Sequence, residues 1–239
     1  MRGNSERFIG AFNKIEKKLK EMSDLKPGQH KPFSILVKEL TSTDSIIKRY
    51  EKDLLQYADL RNAIIHENID GKYVIAEPHI ETVEKIEVIE TNLLAPKKLI
   101  PYFQNDVKVY NMDDELKDVL KEIKLNNYSQ FPIYDFGKFK GLLTMNGIAN
   151  SLAHNYKEEE GGVLITEDTT IRNMLKHEEI KENFLFVDRN KNIFDAIDLF
   201  QSNEHPIEAL LITHNGKVDE KLLGILTVWD IMEMNKEII

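Results

Sequence analysis

Cysteine is absent from the 239-residue chain. That excludes a disulfide framework, a thiolate metal site and a cysteine nucleophile, and it fits a reducing compartment. Long apolar runs are missing too: no stretch approaches the ~20 consecutive apolar residues a membrane helix needs. The opening residues MRGNSERFIGAFNKIEKKLKE contain no long apolar run followed by small residues, so they do not read as a secretory signal. The chain is therefore expected in the cytoplasm, away from membranes. His154, His177, His205 and His214 are scattered without ligand spacing, so no metal is expected.

What is present is an ordinary globular balance, 41% apolar and 31% charged. The net charge of −9 is uneven: residues 1–100 hold 17 Lys+Arg against 16 Asp+Glu, and residues 101–239 hold 15 against 25. The acidic second part argues against a grip on nucleic acid, which needs clustered cations. Residues 1–50, with 11 basic and 6 acidic groups, are where a polyanion would first be met.

The spacing of Phe8, Ile9, Phe12, Ile15, Leu19 and Met22 predicts an amphipathic helix over 5–22, with Ser5 as its N-cap. Helical spacing resumes over 33–66, interrupted by TSTDS, which supplies a break and a cap. NIDGKY reads as a turn and YVIAEP as a strand-like link. PHIETVEKIEVIETNLLAP reads as a further helix between Pro78 and Pro96.

After Pro96 the pattern repeats. VYNMDDELKDVL (109–120) aligns with FVDRNKNIFDAI (186–197), and FKGLLTMNGIAN (139–150) aligns with LLGILTVWDIME (222–233). The second copy has the longer middle, around ITHNGKVDEK. Two strand–helix–strand–strand–helix units are predicted, forming a pseudo-twofold pair, since one unit alone buries little apolar surface. GLLT and GILT both end a strand at a helix start, and only the second continues to an acid, Asp230. Asp230 in that position suits two roles: capping the helix, or accepting hydrogen bonds from the vicinal hydroxyls of a ribose while Thr227 and helix N–H groups face phosphate.

These motifs resemble a tandem pair of cystathionine-β-synthase (CBS) domains, a Bateman module. The expected fold class is α+β: an N-terminal all-α bundle (1–95) followed by a tandem CBS-domain pair of α/β repeats (96–160 and 161–239). The resemblance implies an adenosine-containing ligand: AMP, ADP, ATP, S-adenosylmethionine or cyclic di-AMP. By the same match Asp230 would hold ribose and Thr227 phosphate. Phe131, Pro132, Leu185, Phe186, Leu210 and Leu211 would line adenine pockets. Thr144 and Asn146 are the first copy's candidates, with Gly147 standing where the acid belongs.

LRNAIIHEN (60–68) places Asn62 and His66 on one helix face, roughly 40° apart. With its surrounding helices it resembles the HEPN family (higher eukaryotes and prokaryotes nucleotide-binding), whose signature is Arg, a polar residue, then His. That resemblance implies metal-independent RNA cleavage by a dimer, with His66 as general acid/base, Arg61 at the phosphate and Asn62 orienting. The expected function is thus an adenine-nucleotide sensor signalling to a helical domain, as a homodimer. The alternative is a nucleotide-controlled ribonuclease that meets RNA through the helical domain.

Overall fold

A computed structural model describes residues 3–23, 25, 29–66, 77–156, 166, 168–202 and 206–238. Of the turn and link expected over 68–78, residues 68–76 lie outside the described ones. Two compact units emerge, Met1–Lys97 with Asn192–Asp198, and Lys98–Lys191 with Leu199–Ile239.

In the first unit, helices α1 (Asn4–Met22), α2 (Phe33–Leu40), α3 (Ser45–His66) and α4 (Ile80–Leu94) bury one apolar stripe each. Phe8, Phe12, Ile15 and Leu19 of α1 are sequestered, as the period of three and four predicts. Phe8 meets Tyr57 edge-on at 5.5 Å, and Phe12 stacks on Phe33 at 4.5 Å. Burial, with Asp53 nearby, pushes the Tyr57 hydroxyl up to about 12.

Ser5 is not the N-cap. Gly3 holds that position and Ser5 lies inside the helix, buried, its backbone N–H donating to Glu77 Oε1 at 3.1 Å. A helix leaves its first N–H groups unpaired, and a carboxylate 72 residues away satisfies this one. TSTDS does break and cap as expected: Asp44 Oδ1 accepts the N–H groups of Ile46 and Ile47, both at 2.9 Å. Ser45 Oγ donates to Asp195 Oδ1 at 2.6 Å, and Tyr50 meets Phe194 at 6.0 Å.

The second unit opens with a short turn, α5 (Leu99–Tyr102), and then contains the repeat. β1 (Tyr110–Asn111), α6 (Leu116–Asn126), β2 (Gln130–Asp135), β3 (Lys138–Thr144) and α7 (Met145–His154) form the first copy. After α8 (Ile171–Leu175) come β4 (Phe184–Asp188), α9 (Ile193–Ser202), β5 (Ala209–Thr213), β6 (Gly224–Thr227) and α10 (Val228–Ile238). The first turns of α9 are counted with the helical unit. Each sheet has three strands, ordered β1-β2-β3 and β4-β5-β6, with one parallel and one antiparallel pairing.

The paired apolar residues of GLLT have a physical reason. Successive strand residues face opposite ways. Leu143 joins Phe131, Ile133 and Ile148 in the first copy's own core, whereas Leu142 packs with Ala209, Leu211 and Leu222 of the second. The first copy's hairpin turns on Phe136 and Gly137 (φ 48° and 73°) between the paired Asp135 and Lys138, a two-residue loop of the kind that needs positive φ at both positions. The longer loop of the second copy is held by Glu220, which accepts from Asn215 N and Nδ2, both at 2.6 Å. Those bonds from Asn215 draw the Glu220 carboxyl down to about 2.

Candidate functional site

The start of α10 is braced by an acid within its own first turn. Thr227 precedes the helix and Asp230 is its third residue. Asp230 Oδ2 accepts both the Thr227 N–H and the Thr227 hydroxyl, each at 2.7 Å. A side chain at this third position reaching back to the N–H of the residue before the helix is one half of a capping box. The bonds engage a single carboxylate oxygen.

Beside this helix start lies a cleft of about 430 Å³. One wall is the segment 105–108 ahead of β1, another the run 128–131 entering β2, and the third the β6–α10 junction. Val107 and Ile225 give apolar surface, the buried Phe131 backs the wall from the core, and Trp229 offers its ring, 70% exposed. Lys108 brings a cation, paired with Glu122 at 3.0 Å. Ser129 Oγ donates to Gln130 Oε1 at 2.7 Å, which orients two polar groups on the wall. The set suits binding of a flat ring carrying hydroxyls and a negative group: apolar faces, a carboxylate acceptor at a helix start and one lysine. Among the described residues no His, Cys, Asp and Glu cluster is arranged to hold a metal.

Of the ten residues expected to touch nucleotide, Thr227, Asp230 and Phe131 line this cleft. Pro132 is buried beside Phe131 in β2. Leu210 and Leu211 are wholly buried, because β5 is the central strand of its sheet with both faces covered. Phe186 lies in an aromatic cluster, 5.0 Å from Phe139 and 6.0 Å from Phe184, and Leu185 sits half-buried in β4. Asn146 is exposed. Thr144 is buried and caps α7, accepting from Gly147 N at 3.0 Å. The wall residues 105–108 and Glu233 carry no motif, so spacing does not mark them. Trp229 stands next to Asp230 in LLGILTVWDIME, and that adjacency is its sequence signal.

In the helical unit, Arg61 and Asn62 lie on α3 and border a separate cleft of about 480 Å³, with Lys38, His30, Glu16 and Asp59. Arg61 Nη1 donates to Asn62 Oδ1 at 3.3 Å, and Arg61 Nε is buried with no hydrogen-bond partner among the described residues. His66 ends α3, and its side chain falls outside the described residues.

The CBS domain family matches the chain twice, over residues 102–154 and 178–237. These segments hold the two copies of the repeat, so the second unit carries a tandem CBS domain pair. The sequence matches no curated protein. Similar solved structures include a protein with CBS domains from Burkholderia ambifaria MC40-6, at 15% identity over 54% of this chain and 82% of that one, with a TM-score of 0.40. Another is a CBS domain pair in complex with 5′-methylthioadenosine and S-adenosyl-L-methionine, at 16% identity over 59% and 98%, TM-score 0.44. A third is a protein in complex with AMP, at 16% identity over 59% and 98%, TM-score 0.42.

Proposed function

We propose that the protein is a regulatory sensor of an adenosine-containing ligand, bound in the cleft at the β6–α10 junction and signalled to the helical unit. The observation that carries this reading is Asp230. It lines an open cleft, and one oxygen secures its own helix start while the acid still borders the cavity. The match to the CBS domain family over both copies supports the same ligand class. The first turns of α9 give the signal a material route, since Asp195 and Phe194 bond and pack with Ser45 and Tyr50 of α3. A homodimer working in the cytoplasm is part of the proposal. The test is a thermal shift with AMP, ADP, ATP, S-adenosylmethionine and cyclic di-AMP. A stabilising response in wild type that Asp230→Ala loses supports the reading. No response to any of the five overturns it.

A second reading, a ribonuclease controlled by that ligand, draws support from one observation: Arg61 and Asn62 border an open cleft in company with Lys38 and His30. RNA cleavage by wild type that vanishes in His66→Ala supports it. Equal rates in the two proteins remove it.

A further inference from the structure

The two copies differ where the 83-residue offset sets Gly147 against Asp230. In the second copy, Asp230 takes both the N–H and the hydroxyl of Thr227. In the first copy the same two donors of Thr144 go to Glu178, with N–H to Oε1 at 2.5 Å and hydroxyl to Oε2 at 3.2 Å. Glu178 comes from the segment after α8 and is buried. A Cβ added at Gly147 would overlap Glu178 Oε1. The carboxylate therefore stands where a side chain at 147 would begin, and glycine is the residue that admits it. Thr144, Asn146 and Gly147 are the counterparts of Thr227, Trp229 and Asp230, the three residues that line the cleft from the second copy's helix start. Both oxygens of Glu178 already hold Thr144, and Glu208 adds like charge beside it.

We propose that Glu178 closes the first copy, standing in from a remote segment for the missing acid, so that each chain takes one nucleoside-type ligand at Asp230 rather than two. This rests on the ligand reading above and sets its stoichiometry. Closure follows from space as well as bonding. A ligand hydroxyl at Thr144 would have to displace a buried carboxylate that already satisfies a helix N-terminus.

The test compares wild type, Glu178→Gln and the double variant Glu178→Ala/Gly147→Asp. AMP, ATP and S-adenosylmethionine serve as probes, with stoichiometry read by calorimetry and native mass spectrometry. The expected result is one ligand per chain for wild type and Glu178→Gln, and two for the double variant, whose aspartate restores the acid within the helix. Two ligands on wild type overturn the closure while leaving the ligand reading intact. One ligand on the double variant and none on wild type supports closure and overturns the reading of the Asp230 cleft. No binding by either overturns both. A ligand-independent arm guards against misfolding. Gly147→Ala should lower Tm in wild type and much less in a Glu178→Ala background, and equal losses in both backgrounds overturn the proposal.

Discussion

Thr144 and Glu178, 34 residues apart, make the same pair of bonds that Thr227 and Asp230 make within one helical turn. One helix start is completed from inside its own helix and the other from a distant segment. The paired donors are identical, so the difference between the copies lies in where the carboxylate is anchored.

That anchoring has a pH signature. Burial pushes the Glu178 carboxyl up, against bonds from Thr144 that pull it down, and Glu208 pushes it further up. A carboxyl raised in the folded state contributes stability that is complete below its unfolded pKa and is lost as pH rises through the folded value. Wild type should therefore lose part of its stability on going from acid pH up through that raised value. Glu178→Gln, which mimics the protonated carboxyl, should lack this component. Tm measured against pH for the two proteins checks it, and parallel curves would refute the assignment.

Trp229 is the chain's single tryptophan, and it lines the cleft largely exposed. Its fluorescence should change on titration with the binding nucleotide. Trp229→Ala should weaken binding by about 1–3 kcal/mol, the range for a base stacked on an aromatic ring. A ligand at 100 times its Kd should add about 2.7 kcal/mol of stability to wild type. Fluorescence titration and thermal shift read the two effects separately.

Asp44 holds two N–H groups at the start of α3. Asp44→Ala should cost about 1 kcal/mol, and Asp44→Ser should recover most of it, because serine is also a good N-cap. Chemical denaturation of the three proteins measures the difference.

Phe8 is fully buried between helices and meets Tyr57 edge-on. Phe8→Ala should destabilise the helical unit by about 3–5 kcal/mol, the range for removing a buried aromatic ring. Phe8→Leu should cost clearly less. Circular dichroism melts check the order.

Much of this architecture is legible in the residues. The period of Phe8, Phe12, Ile15 and Leu19 marks α1, and the repeated GLLT and GILT mark the strands that lead into α7 and α10. Asp230 is legible as well, since a Thr with an acid three residues on is a local signature. What sequence spacing hides is the long-range carboxylate. Ser5 looks like a cap because capping is judged from neighbours, yet Glu77 serves that helix end from 72 residues away. Glu178 sits in the undistinguished run HEEIKEN, and only the fold brings it to Thr144. The expected nucleotide contacts Leu210, Leu211 and Phe186 illustrate a related limit. An apolar strand residue reads the same whether it faces a ligand or a neighbouring sheet.

At the head of β6, Gly224 is pressed against the carbonyl of Phe103, where an added Cβ would overlap that oxygen, and Leu223 O takes the N–H of Asn105. The strand delivering Thr227 and the segment forming the opposite wall are thus seated backbone to backbone. The gap available to a guest is set by a hydrogen atom where every other amino acid has carbon, so one methyl there would act as a shim, altering the fit of the pocket without touching anything that lines it.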